Sequence, residues 1–235
     1  MNKRKKSKSR GIKSLVYPFS QSIMQKQKSL PRFLILFIQI LILSTFLFTQ
    51  NILAQTFEGG FFAGLSASQV DGDTYSGFNK AGLTAGGYIS AELTRNSGWK
   101  AELRYIQKGA YKKNTEQDPT LYKLTIHYIE IPLMYQYWIN DRIILEGGFS
   151  PDIYLGHKEE NEIGELEGEE RPDYHRFSIG ANAGVAYKIT DNIIAGARYT
   201  YSIIPIRDHA SGQTYLLNRG QYNNVVSFSL YYHFD

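Results

Sequence analysis

The 235-residue chain has no cysteine. Disulfides, thiolate zinc sites, iron–sulfur clusters, cysteine nucleophiles and a lipid anchor on cysteine are therefore excluded. Acidic residues are missing from residues 1–54, which hold ten Lys and Arg. The whole chain has a formal charge of +4 and a pI of about 9.0. Taken whole, that balance suggests a basic protein with nucleic acid as a partner. Residues 55–235, however, carry 16 basic and 22 acidic residues, a net charge of −6. The positive charge belongs to the leading segment, and no nucleic-acid partner is expected. The length allows one medium domain or two small ones.

The leading segment contains FLILFIQILILSTFLF at residues 33–48. Sixteen residues fall short of the roughly 20 that a spanning helix needs. A basic region, a short apolar run and Ala54 describe a secretory signal peptide over residues 1–54, cleaved after Ala54. A start at Met24 would shorten the basic region to MQKQKSLPRF. The competing reading is an uncleaved membrane anchor.

Beyond residue 54 there is no apolar run long enough for a membrane helix and no sustained helical period. What persists is alternation of period two, in eight segments: 56–70, 80–94, 99–112, 122–138, 143–156, 175–189, 193–204 and 222–234. One parity supplies 53 positions without a single Asp, Glu, Lys or Arg. It runs Phe57, Phe61, Leu65 in the first segment and Phe228, Leu230, Tyr232, Phe234 in the last. The opposite parity holds Glu58, Glu92, Lys100, Glu102, Arg104, Lys108, Glu130, Glu146, Asp152, Arg176, Lys188 and Arg198. Among them lie Gly64, Gly86, Gly148, Gly180, Gly184 and Gly196.

A soluble β-sandwich or lipocalin alternates too, with the charged face outside. Two features favour the inverse arrangement. The charged face is rich in glycine and balanced in sign, as the lumen of a narrow barrel requires. The apolar face ends in aromatics near the turns: Trp99, Tyr135, Tyr137, Trp138, Tyr232 and Phe234, as at a membrane interface. The connections alternate long and short, the short ones at 95–98, 139–142 and 190–192. Outer-membrane barrels pair short periplasmic turns with longer outside loops. The sequence therefore predicts an all-β fold, an eight-stranded antiparallel up-and-down transmembrane β-barrel over residues 55–235, in the outer membrane.

At Tyr128-Ile-Glu-Ile-Pro-Leu133, Gly180-Ala-Asn-Ala-Gly184 and Ala197-Arg-Tyr-Thr-Tyr201 the chain resembles the PorT-like outer-membrane β-barrel family, small eight-stranded barrels of Gram-negative envelopes. The resemblance covers about residues 57–235. It implies an outer-membrane barrel domain and supplies no catalytic residues.

Glu92, Glu102, Arg104, Glu130, Glu146 and Arg198 are expected to form a charge network in the lumen. Eight strands enclose room for side chains only, and buried charges must be paired, so a plug is favoured over an ion path. The loop KEENEIGELEGEE at 158–170 holds seven acids, matches no cation-loop spacing, and reads as a solvated, mobile outside loop. His127 faces outward near the outer rim, with no serine placed beside it by the sequence. Gly59-Gly60 and Gly86-Gly87 lack the helix and the Lys-Ser/Thr of a phosphate loop. No catalysis, cofactor or metal is expected. The expected partners are outer-membrane lipid and lipopolysaccharide, the barrel-assembly machinery through Phe234, and an unknown protein at the outside loops. Asp235 after Phe234 departs from a strictly terminal aromatic. A lipid-modifying outer-membrane enzyme and a soluble periplasmic ligand-binding barrel are the alternative readings.

Overall fold

The structure, a computed structural model, describes residues 39, 57–73, 77–114, 116, 120–165, 173–208 and 220–234. The expected signal peptide with its boundary at Ala54, the start at Met24 and residues 166–170 of the acidic loop lie outside the described residues. Of the two units into which the chain divides, Ala54–Asp235 holds every strand found among the described residues.

Ten strands follow in order: β1 Phe57–Asp71, β2 Lys80–Thr94, β3 Ser97–Lys112, β4 Tyr122–Glu130, β5 Leu133–Trp138, β6 Ile143–Asn161, β7 Gly164–Glu165, β8 Phe177–Lys188, β9 Ile193–Ser202 and β10 Tyr222–His233. All pairings between strands are antiparallel, and β1 pairs β10, so the sheet closes on itself. β4 and β5 are one strand of the barrel broken at Ile131-Pro132, where proline has no N–H for the ladder. The break keeps two bonds: Glu102 N donates to the Pro132 carbonyl, and Ile131 N to that of Pro151, both at 3.0 Å. β7 extends β6 as a short hairpin. The barrel therefore has the eight strands that alternation predicts.

One circuit of hydrogen-bonded partners fixes the barrel's dimensions. Ala67 faces Val226, then Tyr199, Ala183, Gly147, Tyr135, Trp99 and Ala91 in turn, and Ala91 returns to Phe57. The register has slipped ten residues, from Ala67 to Phe57. With strands about 4.8 Å apart and about 3.3 Å per residue, that shear tilts the strands about 41° and gives a backbone radius of about 8 Å. At this tilt roughly ten residues cross an apolar band about 25 Å tall. β3 has 16 residues and β6 has 19, so both rise beyond the band at the end where the connections are long.

The alternation inverts where they rise. Through the band the outward residues are apolar, with Leu65, Leu103, Phe149 and Phe228 all about 60% exposed. Beyond it, the outward positions of β4 are Lys123, Thr125 and His127, and the inward ones are Tyr122, Leu124, Ile126 and Tyr128. An apolar core forms there from Val70, Ile106, Leu124, Ile126, Ile206 and Val225, among others. The physical reason is the solvent. Lipid draws apolar groups outward, and where the strands leave it the ordinary inward preference returns.

The acidic segment departs from the expected mobile loop over its described part. β6 continues to Asn161, whose Oδ1 accepts bonds from Ile163 N and Gly164 N, and Gly164 takes φ 134° to turn the chain. Lys158 Nζ lies 2.9 Å from Glu160 and 3.5 Å from Glu165, which relieves the like-charge repulsion.

Candidate functional site

The lumen is built from the inward residues of β3, β4, β6 and β9. Their positions follow from period two: Lys100, Glu102, Arg104 and Lys108 stand along one side of β3. Glycines on neighbouring strands let these long side chains in. A Cβ on Gly86 would lie 2.1 Å from the Leu103 carbonyl oxygen and 2.8 Å from the Phe62 ring.

Two charge clusters occupy the interior. In the one nearer the short turns, Arg198 donates to both oxygens of Glu102 at 2.9 and 2.7 Å, and to Glu146 at 3.2 Å. Arg104 lies 3.0 Å and Lys100 3.3 Å from Glu102, and Lys100 also bonds Glu146. Gln136 donates to Glu146 at 2.9 Å. In the second cluster Lys108 is paired with Glu130 and, at 3.1 Å, with Asp152. Rings cover the cations: Lys100 lies 4.5 Å from the Tyr231 ring centre, Arg104 5.0 Å from Phe62 and Lys108 4.9 Å from Tyr128. Four bases face four acids, all at least nine-tenths buried. Pairing reduces the cost of dehydrating each charge, which an unpartnered buried charge would bear in full.

Above the second cluster the apolar core crosses the lumen. Beyond it Arg207 caps the long-loop end, 3.5 Å from Glu159 and 4.6 Å from the Tyr174 ring centre. Tyr122 donates to Glu159. Burial pushes the Tyr174 phenol above its ordinary range. Charged clusters, apolar core and cap thus occupy successive levels of the lumen.

Of the six expected network residues, Glu102, Arg104, Glu146 and Arg198 meet in the first cluster and Glu130 lies in the second. Glu92 joins neither. It is exposed near the end of β2, past the reach of the cluster, where the β2–β3 register shifts. Lys100, Lys108 and Asp152 complete the clusters, and their shared parity was the signal for them.

The interface aromatics divide similarly. Trp99, Tyr135, Tyr137, Tyr232 and Phe234 face outward at the short-turn end, with Trp99 against Tyr135 at 5.5 Å and Phe61 against Phe234 at 4.7 Å. Trp138 is a correction. It follows Tyr137, so period two turns it inward, where it lines the mouth of the lumen. Sequence reading missed Glu159 and Arg207 as a pair. A bulge at His127/Tyr128 flips the parity of β6 beyond it, and no pattern announces such a bulge.

His127 Nδ1 is hydrogen-bonded to the Tyr105 hydroxyl at 2.7 Å, and Gln107 donates to that hydroxyl at 3.2 Å. No serine enters this group. Among the described residues no three His, Asp or Glu side chains converge as a metal site.

A closed antiparallel barrel with an apolar belt outside and charges inside is a membrane-spanning barrel. Residues 50–208 match the family described as "Outer membrane protein beta-barrel domain", and the chain belongs to that family, in the outer membrane. Three solved structures are similar. Ail, the attachment invasion locus protein of Yersinia pestis, in complex with the heparin analogue sucrose octasulfate, is 16% identical over 76% of this chain and 99% of its own, with a TM-score of 0.47. Neisserial surface protein A is 13% identical over 77% and 99%, with a TM-score of 0.44. OprG from Pseudomonas aeruginosa is 14% identical over 77% and 95%, with a TM-score of 0.33. A search among curated proteins returns no match.

Proposed function

We propose that this barrel acts through its surfaces, as a structural or interaction protein of the outer membrane, and neither conducts nor catalyses. One observation carries the reading. The lumen is filled by paired charges and then by an apolar core, which leaves a solute no hydrated route. The long connections are the outside loops and meet a surface partner or lipopolysaccharide. The aromatics at the short-turn end anchor the barrel at the membrane interface, and Phe234 is read by the barrel-assembly machinery. The PorT-like kinship rests on the YIEIPL string, whose proline breaks the fourth barrel strand. Residues 1–54 serve as the export signal, with cleavage after Ala54.

Planar bilayers test the central point. The purified protein is expected to give no large, steady conductance, and such a conductance would refute the closed lumen. Mass spectrometry of lipid A with and without the protein tests the absence of catalysis. Loss of an acyl chain that depends on His127 would make the protein a lipid-modifying enzyme. A pull-down from outer membranes through the outside loops is the direct search for the partner.

A further inference from the structure

At the short-turn end the lumen opens into a cavity of about 790 Å³, within the range of small-ligand sites. Its floor is the Lys100–Glu146 pair. Its wall includes the Trp138 indole, seated there because Gly98 lacks a side chain: a Cβ on Gly98 would lie 2.6 Å from the indole Cη2. Gly98 is the strand partner of Glu92, and the indole and that side chain line the same cavity. Glu58 faces Ser90 on the same strand pair, which makes it the diagonal neighbour of Glu92 on the same inward face.

The acids lining the cavity are Glu58, Glu92, Glu146 and Asp191, and the bases are Lys100, Lys188 and His233. With the histidine neutral the lining carries a net charge of −2. Glu146 is matched by Lys100, and Asp191 lies 3.4 Å from Lys188. Glu58 has His233 alone, at 3.5 Å, and Glu92 is exposed with no ion pair among the described residues. Glu92, without an ion pair, and Glu58, with an imidazole as its only partner, thus line the same mouth as an indole and the Tyr88 ring. Carboxylates with aromatic faces attract organic cations and repel anions.

We propose that this mouth binds an alkylammonium or guanidinium group, its charge held at Glu58 and Glu92 and its apolar stem along Trp138. Lys100 at the floor repels the cation and sets how deep it enters. The bearer is either a free amine or a Lys or Arg side chain of a polypeptide on this side of the membrane. The site lies at the end opposite the outside loops and does not depend on the role proposed for them.

The chain has two tryptophans, Trp99 and Trp138. The Trp99→Phe variant, purified in detergent from outer membranes, reports on Trp138 alone. Its fluorescence is expected to change saturably with n-pentylamine and with a tri-lysine peptide, and to stay unchanged with pentanoate. Half-saturation at lower concentration with the peptide assigns a polypeptide source, and equal or weaker peptide binding assigns a free amine. Glu92→Gln or Glu58→Gln, each checked for heat-modifiable gel mobility, is expected to weaken binding by up to about fivefold. The proposal is overturned if neither cation gives a saturable change, if pentanoate gives the same change, or if the double glutamine variant binds as the parent does.

Discussion

Glutamine in place of Glu102 removes one negative charge from the first charge cluster of the lumen. Glu102 accepts two bonds from Arg198, at 2.9 and 2.7 Å, and lies 3.0 Å from Arg104 and 3.3 Å from Lys100. Without it, three buried cations face Glu146 alone. Two charge-assisted bonds are lost, each worth about 1.5–3 kcal/mol. The amide NH₂ also points a donor at guanidinium donors. The expected loss is about 3–5 kcal/mol, the range for removing one partner of a buried ion pair. Urea unfolding in lipid vesicles, followed by tryptophan fluorescence, measures it. Arg198→Met and the double variant complete the cycle, and the double is expected to cost less than the sum of the singles by about 1–3 kcal/mol. A loss below about 1 kcal/mol for Glu102→Gln is what exposed ion pairs show. It would mean that the clusters are hydrated, and the closed lumen would go with them.

Three further perturbations bear on other parts of the fold. Leu65→Arg puts a charge on the lipid-facing belt and is expected to cost about 2–4 kcal/mol in vesicles; an unchanged unfolding midpoint would argue for a soluble barrel instead. Leu124→Ala opens a cavity in the apolar core beyond the band, at a cost of about 2–5 kcal/mol, and a change under about 1 kcal/mol would show that this core is loose. The adjacent glycines Gly86 and Gly87 give a paired test. Alanine at 86 would set its Cβ 2.1 Å from a carbonyl oxygen and is expected to abolish the heat-modifiable band, whereas at 87 the nearest atom is 3.5 Å away and the band should persist. Equal behaviour of the two would contradict the tight packing of the inward face.

The strands and their faces were legible because they rest on a local rule. Successive side chains in a strand point to opposite sides, so Leu103 outward and Glu102 and Arg104 inward follow from position alone. Trp138 obeys the same rule, and its expected place outside failed because it was grouped with Tyr135 and Tyr137 by residue type instead of parity. Glu92 shows the limit of parity, which tells face and not depth. At the end of a strand, an inward carboxylate meets solvent before it meets Arg198.

The strand count and the glycine-lined charged face were readable from residues 57–235 in order, because each rests on alternation between neighbours in sequence. Three things depended on the tertiary structure. The shear of ten residues decides which charges share a level, and so why Arg198 on β9 meets Glu102 on β3. The bulge in β6 decides that Glu159 turns inward to Arg207. The height at which β3, β4 and β6 leave the apolar band decides that Leu124 and Ile126 pack inside while Lys123 and His127 face out. Each is a relation between strands distant in sequence, set when the barrel closes, and no local pattern of residues encodes it.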